Sequence, residues 1–469
     1  MRPKSPWPAR LHDGAGSPAH RLAEALGADI LAGRLNAGDR LPAHRDLAWR
    51  LGIGVGSVTR AYAMLERRGL THSVRGRGTF VTVRADAAST VLDLATNMPP
   101  PMFSDRALAR TLHALARRID PALFNIYPPV AGHLEHRRVM TRWLEALGLV
   151  VQPDRLLLTS GAQQALSVAL AVARPHVHYA LTEEQTYPGM LGTVRQSGLP
   201  LGGVRMDGGG MLPACLKAAL AGRPGQRAVV YLTPTAHNPT TATMDEARRR
   251  DIAALCRQYD ALVIEDGVYV CGAEGEPPTL WSLAPERTFH VGSLSKILSP
   301  GLRIGALIPP PALAEACLPA LLASSLMIAP LSYAMMAQWM QDGTAQSVRV
   351  SLQAESARRM DLAASILGPD LAVAPGRAFH AWLPMPPGQA VAVVERARAL
   401  GVILPQPHVF ESGRANAEGP ADTQAAGMTG LRLALGSVSF AALPDALMRV
   451  RAACHAPSPE VSRDTLPIY

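Results

Sequence analysis

Cysteine is scarce. Five are scattered through 469 residues, at Cys215, Cys256, Cys271, Cys317 and Cys454, and no two form a C-x-x-C pair. That spacing argues against a zinc ribbon or a disulfide framework and fits a reducing cytosol; no metal site is expected. Charged residues make up only 18 % and aromatics 5 %, while 48 % of the chain is hydrophobic. A sizeable core is therefore available, and disorder is expected only near the ends. No apolar run follows the basic N-terminus, so no secretory signal is visible. There is no internal repeat. One uncharged stretch, "CLPALLASSLMIAPLSYAMMAQWMQ" (317–341), is long enough to span a bilayer. Pro319, Pro330 and several serines interrupt it, and neither side has a basic flank. It is expected to form two buried helices of a globular domain.

The length implies two or three domains, and the charge is uneven along them. Residues 1–90 hold 14 Lys/Arg against 7 Asp/Glu, so +7 of the chain's +9 lies in its first fifth. A basic module joined to a nearly neutral remainder suggests a polyanionic partner for the module. Its pattern agrees. "RLAEALGADILAGRL" (21–35) puts Leu22, Ala25, Leu26, Ile30 and Leu31 on one helical face, "AHRDLAWRLGI" (43–53) is a short helix closed by Gly52, and "GSVTRAYAMLERRGL" (56–70) is a third. "THSVRGRGTFVTV" (71–83) reads as a hairpin around Gly76 and Gly78. Three helices and a hairpin describe a winged helix-turn-helix, whose third helix enters the major groove of double-stranded DNA.

The run "GDRLPAHRDLAWRLGIGVGSVTRAYAMLERRGLTHSVRGRGTFV" resembles the GntR family of bacterial regulators. The resemblance implies that Arg45, Ser57, Thr59 and Arg60 face DNA, with Arg77 in the wing. One position departs. The family usually has arginine two residues before Ser57, and this chain has Val55. An apolar side chain cannot form the bidentate pair with guanine, so base preference should differ.

After a short polar tether, "VRADAASTVLD" (83–93), apolar runs alternate with helical patterns. "RLLLTS" (155–160), "VHYALTEE" (177–184), "AVVYLTP" (228–234), "ALVIEDG" (261–267) and "TFHVGSLS" (288–295) read as buried strands, several with polar ends. Such alternation implies an α/β domain, its mostly parallel sheet covered by helices on both faces and its ligands beyond the strands' carboxyl ends. "ESGRANAEGPADTQAAG" (411–427) reads as a mobile surface loop, and the two chain ends as loose tails.

The polar strand ends suit one cofactor, pyridoxal 5′-phosphate. In "FHVGSLSKILSPGLRIGAL" (289–307), Lys296 can form a Schiff base with its aldehyde, while Ser293, Ser295 and Arg303 can hold its phosphate. Gly161, Ala162 and Gln163, in "TSGAQQAL", form a strand-to-helix turn that adds backbone amides and a helix dipole. Asp266 can keep the pyridine nitrogen protonated, Tyr187 can stack on the ring, and Asn238 and Tyr269 can bond its phenolic oxygen. Taken in order, these residues resemble fold-type I, class I/II aminotransferases across roughly residues 95–455. That resemblance implies that Tyr127 reaches the phosphate of a neighbouring subunit in a homodimer, and that Arg432 in "GLRLALGS" forks onto a substrate carboxylate. Thr241 stands where the family often has glycine.

The two halves in this order resemble the MocR subfamily of transcriptional regulators. The expected domains are a winged helix-turn-helix at 16–83, a linker at 84–93 and the aminotransferase-like domain at 94–455, with a smaller C-terminal α+β subdomain from about 345. The resemblance implies a cytoplasmic, DNA-binding regulator that senses the cofactor or a small amino compound through an internal and then an external aldimine. The alternative is a working aminotransferase, passing amino groups to 2-oxo acids, with an attached DNA-binding module.

Overall fold

The computed structural model describes residues 7–12, 16–31, 34–35, 38–67, 70–74, 78–81, 91–102, 105–272, 275–413 and 429–456. The chain divides into two compact units, one of residues 1–90 with 101–116 and the other of 91–100 with 117–469.

In the first unit, α1 (Pro18–Leu31), α2 (His44–Leu51) and α3 (Val55–Arg67) precede an antiparallel hairpin of β1 (Thr71–Val74) and β2 (Gly78–Val81). The helices form because their apolar residues repeat at helical spacing. Leu22, Leu26, Leu47, Val58, Tyr62 and Leu65 are all buried in one core, which Trp7 also joins. Gly52 ends α2 at φ 63°, a left-handed cap that costs a glycine nothing. The hairpin's turn, Arg77 included, lies outside the described residues. α4 (Asp105–Ala116) also belongs to this unit.

The second unit begins with β3 (Leu92–Asp93), inside the stretch read as linker, followed by α5 (Ala122–Asn125) and α6 (Leu134–Glu145). Its centre is a seven-stranded sheet. The strands are β4 (Leu157–Thr159), β5 (Tyr179–Glu183), β6 (Leu201–Val204), β9 (Ala228–Leu232), β10 (Leu262–Asp266), β11 (Thr288–Ser293) and β12 (Gly305–Ile308), and a small hairpin, β7 (Met206–Asp207) and β8 (Gly210–Met211), follows β6. Their spatial order is β4-β12-β11-β10-β9-β5-β6. β6, β5, β9, β10 and β11 pair in parallel, whereas β12 runs antiparallel to both of its neighbours. Every residue of β5, β9, β10 and β11 is buried. That explains why they read as continuous apolar runs rather than alternating ones.

Helices cover both faces. α7 (Ala162–Ala173), α8 (Pro188–Ser197) and α12 (Ala314–Ser325) contribute to the core on one side, against Phe289, Val291 and Leu307. α9 (Pro213–Ala221), α10 (Glu246–Gln258) and α11 (Leu280–Leu283) contribute to the core on the other. Each fully buried aliphatic or phenylalanine side chain in these layers contributes about 1.5–3 kcal/mol. Among the described residues no single helix is long and apolar enough to cross a membrane. The uncharged stretch forms α12 and α13 (Pro330–Gln341), and that helix pair is bent by 117°. The expectation of two buried helices needs correcting. α13 buries Tyr333, Met336 and Trp339, but α12 buries only Cys317 and Leu321, leaving Leu318 38 % and Leu322 43 % exposed. Apolar residues surround α12 on every side, and α7 covers only one of them.

The remainder is a smaller α+β layer. α14 (Thr344–Leu367), α15 (Pro387–Ala399) and α16 (Leu443–His455) pack around the antiparallel pair β13 (His380–Pro384) and β15 (Gly430–Ala434). β14 (Val402–Ile403) pairs in parallel with β3, which ties residues 92–93 to this layer.

Candidate active site and DNA-binding surface

The carboxyl ends of β4, β5, β10 and β11 carry Thr159, Glu183, Asp266 and Ser293, and all four are buried. Lys296 follows β11 by three residues. Its ammonium donates to the backbone carbonyl of Asn97. Burial lowers its pKa to about 8; Arg432 and Arg303 push the same way, and Asp266 opposes them. The result is an amine that is partly neutral near physiological pH and fit for attack on a carbonyl.

Asp266 sits at the end of β10, its Oδ2 accepting from the Tyr231 hydroxyl at 2.9 Å and its Oδ1 from the Val268 amide at 3.3 Å. Burial raises its pKa, while these two donors and the charges of His290 and Lys296 pull it back. Burial pushes Glu183 up to about 8 and holds His237 and His380 down to about 3. Nδ1 of His237 lies 2.8 Å from the Thr240 hydroxyl and 3.4 Å from the Thr240 amide, and its Nε2 lies 3.9 Å from Glu183.

A second group surrounds the turn before α7. Gly161, at φ 84°, is the N-cap of α7, and no side chain caps that helix. A Cβ on Gly161 would lie 2.6 Å from Nη2 of Arg303, so glycine is what lets the guanidinium close on the helix start. Arg303 also donates to the Ser160 carbonyl at 3.5 Å. The Ser293 hydroxyl lies 3.0 Å from that of Ser295. Tyr187 donates to Gln163 at 3.1 Å, fixing its ring beside this turn. Gly305, on β12, is equally constrained, since a Cβ there would lie 2.6 Å from the Gly161 carbonyl carbon.

Arg432 completes the group from β15. It donates from Nη1 to Asn238 at 3.1 Å and from Nη2 to the Ala95 carbonyl, and its guanidinium lies 4.9 Å from the centre of the Phe410 ring. Its Nε is buried without a partner. Tyr269 accepts from the Asn97 amide at 2.8 Å. Thr241, at the position where glycine is usual, adopts φ 63° and hydrogen-bonds its own neighbour's carbonyl, so the turn keeps a left-handed residue without glycine.

The structure therefore joins Lys296, Asp266, Asn238, Tyr269 and Arg432 in one place, and Gly161, Ala162, Gln163, Tyr187, Ser293, Ser295 and Arg303 beside it. Tyr127 is not joined to them by a hydrogen bond and is 76 % exposed. Sequence reasoning missed Asn97, Tyr231, Glu183 and His380. Tyr231 had a readable signal, as the one phenol in the aliphatic run "AVVYL". On the first unit Arg45, Thr59 and Arg60 are exposed and Ser57 is half-buried.

A family profile described as aminotransferase class I and II matches residues 89–424, and a second, bacterial regulatory proteins of the gntR family, matches 18–81. The chain belongs to both families. It thus has the MocR architecture, a GntR reader followed by an aminotransferase-type domain, and is a transcriptional regulator of that type. The regulator TauR of Rhodobacter capsulatus is 31 % identical over 345 residues, 63 % of this chain and 68 % of its own. The pyridoxine biosynthesis regulator PdxR of Corynebacterium glutamicum is 29 % identical over 308 residues, 62 % and 65 % of the two chains. An archaeal alanine:glyoxylate aminotransferase structure superposes with a TM-score of 0.68 at 20 % identity, covering 85 % of this chain and 94 % of that one, which shows the shared fold. Members of this fold family depend on pyridoxal phosphate, and GntR regulators bind DNA.

Proposed function

We propose that this MocR-type regulator binds pyridoxal 5′-phosphate at Lys296 and uses the loaded site to sense a small amino compound. The observation that carries the reading is a partly neutral Lys296 beside Asp266 and Arg432 in a chain that also carries a DNA reader. The residues suit the cofactor. Arg303 and the uncapped start of α7, with Ser293 and Ser295, offer a dianion a cation, amides and hydroxyls. Asp266 offers the ring nitrogen a carboxylate, Tyr187 a ring face, and Asn238 with Tyr269 donors for the phenolic oxygen. When bound, the cofactor supplies an aldehyde and an electron-withdrawing ring. Arg432 then holds the effector's carboxylate. Its orphaned Nε and its bond to Asn238 leave it poised to exchange internal partners for a ligand. Tyr127, exposed in the single chain, serves the phosphate of a second copy in a homodimer.

For the ligand to switch the regulator, it must bind two arrangements of the chain with affinities that differ by a few kcal/mol. The DNA module, through Arg45, Ser57, Thr59, Arg60 and Arg77, reports the outcome at an operator, and this places the working protein in the cytoplasm. Relatives that match more than three fifths of the chain carry regulator names, which favours this reading over a working aminotransferase.

The test is direct. Full-length protein is mixed with pyridoxal phosphate, reduced with borohydride and mapped by peptide mass. The cofactor should be fixed on Lys296, and Lys296→Ala should abolish labelling while retaining DNA binding. Labelling elsewhere, or none, overturns the cofactor reading. Many turnovers with an amino donor and a 2-oxo acid would restore the enzyme alternative.

A further inference from the structure

The recognition helix α3 opens on an apolar residue, Val55, at the end where helix-turn-helix proteins read bases. The buried face of α3, formed by Val58, Ala61, Tyr62 and Leu65, packs into the core shared with α1 and α2. Packing therefore decides which residues point outward, and these are Val55, Gly56, Thr59, Arg60 and Ala63, all exposed. Val55, Thr59 and Ala63 fall at i, i+4 and i+8, so they share one line along the outer face.

The polar atoms on that face are turned inward. The Thr59 hydroxyl donates to the Val55 carbonyl at 3.1 Å, and Arg60 Nε donates to the Gly56 carbonyl at 3.3 Å. The line of Val55, Thr59 and Ala63 thus presents methyl groups to the groove. Val55 leads it at the helix N-terminus and is 44 % exposed. Glycines flank it at 54 and 56, and a Cβ at either would meet nothing within 4 Å. Among the described residues, the two positions beside the valine thus leave open space around the helix start.

A major groove offers one apolar group, the C5 methyl of thymine, whereas guanine asks for a bidentate donor. In helix-turn-helix proteins the first residues of the recognition helix meet base edges. We propose that Val55 is a base-specificity residue that reads a thymine methyl in each half-site, so that this regulator's operators carry A·T where an arginine would select G·C. The proposal rests on the DNA-binding reading of the module. The glycines keep the approach close and Arg60 stays free to meet phosphate through its remaining nitrogens.

The experiment uses full-length protein and synthetic duplexes. Sites are enriched from a random-sequence library, and the tightest duplex is remade with each thymine replaced in turn by deoxyuridine, which removes only the methyl group. Burying one methyl should change affinity about fourfold. One thymine per half-site should show that loss with the native protein, and the loss should disappear in Val55→Ala. Val55→Arg should move the preference at the same position toward guanine. If deoxyuridine is tolerated at every position, or if Val55→Ala keeps the full sensitivity, the valine does not read the methyl, although DNA binding stands. If no duplex binds at any sequence, the DNA reading itself falls and takes the proposal with it.

Discussion

Replacing Lys296 with methionine should stabilise the cofactor-free protein at neutral pH. The side chains are similar in length, and the substitution removes a charge that burial disfavours. A lysine whose pKa falls from 10.5 to about 8 on folding costs about 3 kcal/mol of stability at pH 7. The bond to the Asn97 carbonyl is also lost, which gives back roughly 1 kcal/mol. The net gain is about 2 kcal/mol, roughly 2–4 °C in melting temperature for a unit of this size. The sign can be followed with pH. Well below pH 8 the amine is protonated in both states, and the native protein carries the full penalty. Between 8 and 10.5 only the unfolded chain binds the proton, so native stability rises by about 1.4 kcal/mol per pH unit. Above 10.5 the penalty is gone. The assay is a pair of melts at pH 7 and pH 10 for native protein and variant, both stripped of cofactor. The variant should lead at pH 7 and lose most of that lead at pH 10. A variant that melts at or below the native protein at pH 7, or whose lead does not shrink, would refute the account of Lys296 as a strained functional amine.

Three further outcomes are expected. Gly305→Ala should lower the melting temperature and weaken pyridoxal phosphate binding at least tenfold by equilibrium dialysis, because the new Cβ collides with the Gly161 backbone and the Thr159 hydroxyl, at 2.6 and 2.7 Å. Arg249→Met should cost about 3 kcal/mol or more in urea unfolding. Arg249 is fully buried and donates to the Pro234 and Met244 carbonyls, both at 3.0 Å, and to the Thr235 hydroxyl at 2.9 Å, so its loss strands acceptors beside the turn that carries Asn238. Arg45→Ala should weaken binding to every duplex alike and reduce the slope of log affinity against log salt by about one per bound module, measured by fluorescence anisotropy.

Much of the second unit was legible because its strands are buried on both faces, and chemistry-bearing residues sit at their ends. "ALVIED" could scarcely be anything but a core strand ending in a functional acid. β12 was harder. Its four residues follow a loop that holds Arg303 in a left-handed conformation, and antiparallel entry into a parallel sheet leaves no periodic trace. The supports of the site were hidden for a different reason. Tyr231 meets Asp266 across two adjacent strands, 35 residues apart, and Asn97 meets Tyr269 across 172 residues. Such pairs arise from register and chain crossing, which local composition does not encode. The exposure of α12 was missed because its apolar residues fall on several sides of the helix and mark no preferred face.

The short run from Leu92 to Asn97 is where two cations of the site, Lys296 and Arg432, find internal anchors. Asp93 receives the Ser437 hydroxyl, Ala95 receives Arg432, and Asn97 receives Lys296, all through main-chain oxygens. These oxygens lie along one strip of backbone that leaves the tether and is pinned at its start by β14. Whatever draws Lys296 or Arg432 toward a visitor therefore lets go of main-chain oxygens at Asn97 or Ala95, so this strip of backbone meets occupancy of the site directly.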